Sequence, residues 1–275
     1  MSGSVLVSAS WLAEQDTANL VIADCRYNLM SPSQAADDYR AGHIPGAFFL
    51  DLETDLCAPL SRHGGRHPLP DAIQFAHVLS KIGMGPGKTL IAYDTDGSGA
   101  AHLWWLGRYY GIDQVKVLQG GFTDWQAMGL PVSTGTPSFL HTPRMLLEAQ
   151  PQWKATRETV LSREGSRALI DSRAYERFTG AREPIDPIAG RIPGAVHYDW
   201  VDVYAAPGRY RTAEDLRRHF SDLVTELAPI VYCGSGVSAC ANVLALHLID
   251  FPAILYAGSY SDWISYDSPV AAGDV

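Results

Sequence analysis

The sequence predicts an α/β fold made of two tandem domains, each a mainly parallel sheet flanked by helices on both faces. The chain has 275 residues, which is long for one compact core and favours two domains of ordinary size. Its second half repeats motifs of its first half, and such a repeat decides the fold before any single motif does. Short β-branched runs alternate with segments of helical period in each half, which is typical of a parallel sheet covered by helices.

Four blocks of sequence occur twice in the same order. The pairs are VIADCRY and LIDSRAY (21–27 and 169–175), GHIPGA and GRIPGA (42–47 and 190–195), LIAYD and PIVYC (90–94 and 229–233), and GGFTDW and GSYSDW (120–125 and 258–263). Insertions and deletions fall between the blocks and leave the blocks intact, as a duplication predicts. We therefore expect domains at 1–132 and 153–275, joined by a linker at 133–152 that is rich in Pro, Ser and Thr.

Strands are expected where β-branched and apolar residues cluster, and helices where apolar residues recur at helical spacing. The expected strands include 20–23, 90–93, 115–118, 230–232 and 253–256, and the expected helices include 100–110, 213–227 and 239–249. Ligands of such sheets gather at the carboxyl ends of the strands. Cys233 directly follows one of those ends.

The composition argues against several classes of partner. The chain carries 21 Lys and Arg against 30 Asp and Glu, a net charge of −9, and an acidic surface repels nucleic acid and anionic lipid. The N-terminus lacks the basic and apolar regions of a leader, and no apolar run approaches the roughly 18 residues of a spanning helix. The four cysteines are sparse and form no C-x-x-C pair, so we expect a cytoplasmic protein with no cofactor and no structural metal.

The segment CGSGVSAC at 233–240 contains the principal candidate for a reactive group. Its glycines let successive backbone N–H groups point into one concavity, and the helix that follows adds the positive end of its dipole. Such a nest favours the thiolate, which is the reactive form of cysteine. A buried, inert cysteine is the alternative, but the position of Cys233 before a Gly-Ser-Gly turn favours a nucleophile.

Three kinds of chemistry use such a loop. A cysteine phosphatase requires C-x5-R, because an arginine grips the phosphoryl oxygens, and Ala239 stands at that position. A thiol hydrolase requires a histidine base, which the scattered histidines do not identify. Sulfur transfer requires only that the thiolate accept a sulfur atom and that the loop amides hold the persulfide.

These motifs resemble those of the tandem-domain sulfurtransferases of the rhodanese superfamily, and among them the 3-mercaptopyruvate sulfurtransferases. The resemblance covers nearly the whole chain and rests on the paired G-[HR]-I-P-G-A, D-[CS]-R and G-x-x-x-D-W motifs and on CGSGVSAC. Members of this kind carry a first copy without the nucleophile, and here Asp94 stands where the second copy has Cys233. Ser238 replaces the usual threonine of the loop and keeps its hydroxyl.

The charge of the loop favours one sulfur donor over another. Thiosulfate is a dianion, for which a loop with Lys or Arg is expected, and residues 234–238 contain neither. The interpretation is therefore transfer from 3-mercaptopyruvate to cyanide, a small thiol or thioredoxin, through a persulfide on Cys233. A thiosulfate:cyanide sulfurtransferase, and a sulfur carrier or interaction module without turnover, remain the alternatives.

The resemblance also implies the substrate contacts. The backbone of Gly234, Gly236, Val237 and Ser238 is expected to hold the persulfide. An arginine in an R-[FY]-x-G context binds the donor carboxylate in such enzymes, and Arg177 satisfies that pattern.

A second arginine of the family falls at position 186, where this chain has Asp186, so Arg182 is a candidate substitute. Both Arg177 and Arg182 have the alternative of being ordinary surface arginines.

Proton transfer to the leaving carbon is the remaining requirement. The resemblance implies a loop serine, Ser235, acting with a histidine of the first domain, His43. Asp37 and Asp38 lie near that histidine in sequence, and neither is assigned as its acidic partner. A purely structural imidazole that caps a helix or turn is the alternative for His43.

Two further features are assigned no function. Asp94 begins a D-x-D-G run that is similar to the loop of aspartyl phosphatases, but the repeat explains it as the first copy's version of the Cys233 loop. The basic segments RHGGRH (62–67) and PGRYR (207–211) are candidates for lining the mouth between the domains, with solvated surface loops as the default interpretation.

Overall fold

The structure, a computed structural model, describes residues 4–163, 167–223 and 225–273 and forms two compact units. Unit 1 comprises Met1–Ala58, Pro70–Gln150 and Ala206–Arg209, and unit 2 comprises Pro59–Leu69, Pro151–Ala205 and Tyr210–Val275. Each unit therefore contains a short segment from the other half of the sequence. The repeated motifs gave no indication of this exchange.

Unit 1 is built on a sheet of five short strands. These are β1 (Leu6–Val7), β2 (Leu20–Asp24), β3 (Phe48–Phe49), β4 (Thr89–Tyr93) and β5 (Val115–Leu118). Its helices are α1 (Ala9–Ala13), α2 (Pro32–Ala41), α3 (Ala72–Lys81), α4 (Ser98–Tyr109) and α5 (Gly121–Ala127). The strand order is β1-β5-β4-β2-β3, and every pairing is parallel.

The second half of the chain repeats this arrangement. Its strands are β6 (Lys154–Ala155), β7 (Leu169–Asp171), β8 (Val196–His197), β9 (Tyr204–Ala206), β10 (Arg209–Tyr210), β11 (Ile230–Tyr232) and β12 (Ile254–Tyr256). Its helices are α6 (Arg157–Leu161), α7 (Tyr175–Thr179), α8 (Ala213–His219), α9 (Ala239–His247) and α10 (Ser259–Trp263). The parallel sheet of unit 2 has the order β6-β12-β11-β7-β8, and β9 pairs with β10 separately.

The two five-stranded sheets have the same strand order, so the predicted fold of two α/β domains with parallel sheets is confirmed. The central strands are β4 and β11, and their apolar residues are buried because helices cover such sheets on both faces. Asp94 follows β4, and Cys233 follows β11. The duplicated fold therefore places these two residues at equivalent positions, at the carboxyl end of the central strand.

The repeated D-x-R motif is a structural element of the core. In unit 2, the Tyr232 hydroxyl donates to Asp171 (2.7 Å), and Arg173 donates to the same carboxylate and to the carbonyl oxygen of Gly190 (2.6 Å for each). The equivalent bonds in unit 1 join Tyr93, Asp24, Arg26 and Gly42. A buried ion pair of this kind is tolerated because its remaining polar atoms are hydrogen-bonded. The motif therefore fixes the turn of each G-[HR]-I-P-G-A block.

Two segments show how local sequence and packing combine. The helix expected over 213–227 begins after the capping Thr212 but ends at His219, because the chain turns at Phe220, whose ring is buried. Residues 134–150 have irregular backbone and belong to unit 1, where the Leu140 amide donates to the Lys81 carbonyl oxygen (3.2 Å). No helix among the described residues has the length and apolarity needed to cross a membrane.

Candidate functional site

Cys233 lies at the carboxyl end of β11, and only 1% of its surface is exposed. Its Sγ accepts a hydrogen bond from the Gly236 backbone amide (3.2 Å). Gly236 has φ +87°, and a side chain there would collide with the carbonyl group of Ala257. The loop therefore depends on glycine at this position to turn its amide toward the sulfur, which is the geometry that stabilises a thiolate.

The loop is fixed from outside by the segment after β12. The Cys233 amide donates to Ser259 Oγ (3.1 Å), and the Tyr260 amide donates to the Cys233 carbonyl oxygen (3.0 Å). The Ser261 amide bonds the carbonyl oxygen of Gly234 (2.9 Å) in the same way. Ser259 has φ +56°, a conformation that a residue other than glycine adopts only when its surroundings impose it. The backbone on both sides of the sulfur is consequently held by hydrogen bonds to this segment.

The other predicted loop residues surround the same point. Gly234, Gly236 and Val237 are buried, Ser238 is half-buried, and α9 begins directly after Ser238. The structure thus brings together the loop residues that the sequence predicts for persulfide binding.

Ser235 is paired with a histidine that the sequence did not identify. Its Oγ lies 2.7 Å from His67 Nδ1, and both residues are buried, at 5% and 6% exposure. Burial, with the nearby Arg66 guanidinium, lowers the pKa of His67 to about 4. The imidazole is therefore neutral at physiological pH and able to exchange a proton with the serine hydroxyl.

His67 belongs to the 59–69 segment, which lies in the first half of the sequence but in unit 2 of the structure. The Gly64 amide donates to Asp262 Oδ1 (2.6 Å), the Arg66 amide donates to Ser261 Oγ (3.0 Å), and His63 stacks on Tyr266. The basic composition of RHGGRH favoured a solvated loop. Only its long-range contacts identify it as part of the site.

Arg177 lies in a buried network of ion pairs beside the Cys233 loop. Its Nε donates to Glu183 (2.9 Å), and its Nη2 donates to Asp186 (2.7 Å). Asp186 also forms an ion pair with Arg66. Burial raises the pKa of Asp186, although both guanidinium groups act in the opposite direction. The prediction that Arg177 lies near the nucleophile is compatible with this placement, because its guanidinium borders Gly234.

Arg182 has a different environment. Its side chain is 74% exposed, and its ion partner is the exposed Glu176 at 3.8 Å. The structure does not bring Arg182 into the network of Arg177 and Asp186. Arg182 therefore has no part in the substrate contacts of this site.

His43 is buried, and its contacts account for it without a catalytic role. Its ring nitrogens lie 2.8 Å from the Tyr39 carbonyl oxygen and 3.1 Å from the Gly135 carbonyl oxygen. In unit 2 the equivalent Arg191 donates to the carbonyl oxygen of Gly273 (2.7 Å) in the same manner. The repeated fold requires a donor at this position, and a histidine or an arginine supplies it. These contacts favour the structural alternative for His43.

The loop after β4 holds a carboxylate where the Cys233 loop holds a sulfur. The two oxygens of Asp94 accept hydrogen bonds from the amides of Gly97 (2.7 Å) and Ala100 (2.9 Å), and the residue is 3% exposed. Burial, with the neighbouring Asp96, raises the pKa of Asp94 to about 8. A carboxylate enclosed in this way is not presented to a phosphate ester, which favours the explanation by duplication.

The fold and the site define a class: a duplicated α/β protein with one thiol in an amide-lined loop at the end of a central parallel strand. The model of the rhodanese-like domain matches residues 8–128 and 156–266. The chain therefore belongs to the rhodanese family and contains two tandem copies of its domain, as the sequence predicted.

Known proteins of similar sequence and structure include sulfurtransferases named for two different sulfur donors. The chain is 43% identical, over the full length of both proteins, to a probable 3-mercaptopyruvate sulfurtransferase of Pseudomonas aeruginosa. It is 34% identical, over 98% of both, to a putative thiosulfate sulfurtransferase of Mycobacterium tuberculosis. The solved 3-mercaptopyruvate sulfurtransferase of Escherichia coli matches with a TM-score of 0.79 at 32% identity, over 94% of this chain and 99% of that one.

Proposed function

We propose that the protein is a sulfurtransferase that takes a sulfur atom from 3-mercaptopyruvate, holds it as a persulfide on Cys233 and releases pyruvate. The observation that carries the proposal is the 2.7 Å contact between the side chains of Ser235 and His67. Ser235 lies two residues after the nucleophile, Cys233. Removing sulfur from thiosulfate requires no proton for the leaving sulfite. Expelling a carbon does require one, and this pair is the group that can move it.

The reaction balances with the groups of the loop. The Cys233 thiolate attacks the donor sulfur, a sulfur–sulfur bond forms, and the carbon–sulfur bond breaks. The electron pair of the broken bond stays with the departing carbon, which leaves as the enolate of pyruvate. The proton of the donor's thiol is transferred to that carbon. Ser235, whose hydroxyl contacts the neutral His67, relays this proton. The amides of 234–238 hold the persulfide anion that remains.

The second half of the reaction returns the enzyme to its thiolate. A thiol acceptor, such as a small thiol or thioredoxin, attacks the outer sulfur of the persulfide and leaves with it. Cyanide is the acceptor of choice in an assay, because the thiocyanate formed is readily detected. A sulfur carrier without turnover would have no use for the buried Ser235–His67 pair.

Intact-mass spectrometry tests the proposal directly. Protein exposed to 3-mercaptopyruvate should gain one sulfur atom, the Cys233→Ser variant should gain none, and cyanide should remove the added sulfur with formation of thiocyanate. Failure of the wild-type protein to gain sulfur from 3-mercaptopyruvate would overturn the proposed donor.

Thiosulfate is the second candidate donor, and one observation favours it. The loop itself is uncharged, as the sequence shows, but the guanidinium groups of Arg66 and Arg177 border Gly234 and bring N–H donors to it from other segments, while Asp186 and Glu183 offset their charges. The argument from loop charge alone is weaker for that reason. The ratio of kcat/KM for the two donors, measured with cyanide as acceptor, decides between them.

A further inference from the structure

A cavity of about 350 Å³ lies in unit 2, where the neighbouring strands β6 and β12 end. Its walls come from the 59–69 segment and from residues at and after the ends of these two strands. Among the residues that the structure describes, its lining includes none of Cys233, Ser235 and His67. The cavity has the size of a small-molecule site and is separate from the loop of the nucleophile.

Two cationic residues of this cavity have apolar counterparts in the first copy of the domain. The residues that cap α1 and α6 each accept a hydrogen bond from the amide three positions later, which aligns the two copies here. Lys154 then corresponds to Leu6, and Arg157 corresponds to Ala9. The fold accepts apolar residues at both positions, so neither the strand nor the helix requires a cation.

Arg157 is held in place while part of its guanidinium group stays open. Its Nε donates to Ser268 Oγ (3.0 Å), and its guanidinium carbon lies 4.6 Å from the centre of the Tyr266 ring. Within the described part of the chain, neither of its Nη atoms is hydrogen-bonded to an acceptor. Two adjacent N–H groups of this kind match the two oxygens of a carboxylate.

Two carboxylates line the same cavity. Asp262 is buried, and its oxygens accept from the Gly64 amide and from the Tyr256 hydroxyl (2.6 Å each). Glu158 is exposed, and hydrogen bonds from its own amide and from the Thr156 side chain lower its pKa, so it is ionised at neutral pH. These two negative charges balance those of the lysine and the arginine, so a simple anion gains no net attraction.

We propose that this cavity binds a free α-amino acid, with the carboxylate of the ligand on Arg157 and its ammonium group on Glu158. A zwitterion pairs with both kinds of charge, whereas a simple carboxylate or a simple amine would leave one kind without a partner. The inference does not rest on the proposed function, because neither residue takes part in the transfer of sulfur.

A thermal-unfolding screen with each of the common amino acids tests the proposal. At about ten times its Kd, the amino acid that fits best should raise the unfolding midpoint of the protein by about 3 °C. Two analogues of that amino acid, one without the amino group and one without the carboxylate, should each bind about tenfold more weakly in calorimetry.

Two variants assign the binding to the two charged groups. Arg157→Gln should weaken binding of the amino acid about tenfold, and Glu158→Gln should weaken binding of the amino acid but not of the analogue that lacks the amino group. Arg182→Gln, which replaces an exposed arginine of the same unit, is the matched control and should change neither affinity. Each affinity compares the free and bound forms of one variant, so a lower stability of Arg157→Gln does not affect the result.

Three results would overturn the proposal. The first is a screen in which no amino acid stabilises the protein, and the second is equal binding of an amino acid and its analogue without the amino group. The third is equal affinity of the unaltered protein and Arg157→Gln for the amino acid. None of these measurements involves turnover, so they stand whether or not 3-mercaptopyruvate is the sulfur donor.

Discussion

The loops after β4 and β11 are two versions of one structure. In both, a tyrosine before the loop donates to the carboxylate of the D-x-R motif at 2.7 Å. In both, a left-handed glycine donates its amide to the side chain three residues before it, which directly follows the strand: Gly97 to Asp94 at 2.7 Å, and Gly236 to Cys233 at 3.2 Å. The glycine amide that donates to the side chain at the strand end is therefore a property of the fold and is present in both copies.

The loops differ at the position two residues after the strand end. Asp96 in unit 1 accepts from the hydroxyl of Ser98 (2.6 Å), so its side chain is used within its own loop. Ser235 in unit 2 contacts His67, which the 59–69 segment supplies. The segment exchanged into unit 1 donates the Gly208 amide to the Asp96 carbonyl oxygen (3.0 Å) and contains no histidine. The two loops therefore share their amide geometry and differ in the exchanged segment, which brings a histidine to the loop of unit 2 and none to the loop of unit 1.

The largest loss of activity should come from replacing Cys233, and a cysteine placed in the loop after β4 should not restore it. Cys233→Ser removes the only nucleophile that the mechanism uses and should reduce thiocyanate formation by more than about a thousandfold. Adding Asp94→Cys to that variant should not restore turnover, because unit 1 has Asp96 where Ser235 is needed. Recovery of activity in the double variant would show that an amide nest with a cysteine is sufficient. Unchanged thermal unfolding of Cys233→Ser is the control.

A smaller loss of activity should follow from replacing His67, the histidine that the 59–69 segment brings to the site. His67→Gln should lower kcat/KM for 3-mercaptopyruvate by about a hundredfold, the usual contribution of a proton-transferring group. Since the pKa of His67 is about 4, the neutral ring persists as the pH falls through 6, and the wild-type kcat/KM should show no loss attributable to this histidine above pH ~5. The exposed His77, changed to Gln, is the control. A His67→Gln variant with normal activity would remove Ser235–His67 from the mechanism.

The last prediction concerns stability and tests the carboxylate of the first loop. Asp94 has a folded pKa of about 8, above the ~3.9 of an unfolded Asp. The folded state therefore keeps a proton that the unfolded state releases, and stability should fall as pH rises between these values, by up to about 1.4 kcal/mol per pH unit. Asp94→Asn removes this dependence, so its thermal midpoint should fall less than that of the wild type between pH 5 and pH ~8. Parallel curves for the two proteins would contradict the assignment.

Short sequence patterns were sufficient to predict much of the fold of this protein. The duplicated blocks, the apolar strands and the glycine loop after Tyr232 are encoded within short stretches, because strand burial and turn geometry depend on neighbouring residues. From them followed the two parallel sheets, the nucleophile Cys233 and the anion-binding loop. The same patterns predicted a helix over 213–227 that is too long, because the helix ends at His219, before the buried Phe220.

Only the tertiary structure decided which side chains complete the site. His67 and Ser235 are 168 residues apart in sequence, and Arg66 and Asp186 are 120 apart. Nothing in RHGGRH distinguishes a solvated loop from one built into the other unit, because the difference lies in partners such as Ser261 and Asp262. The sequence by itself determined the fold and the reacting sulfur, since both depend on local geometry. The partner of Ser235 lies on a chain segment that meets the loop only after folding, and the tertiary structure alone identifies it as His67.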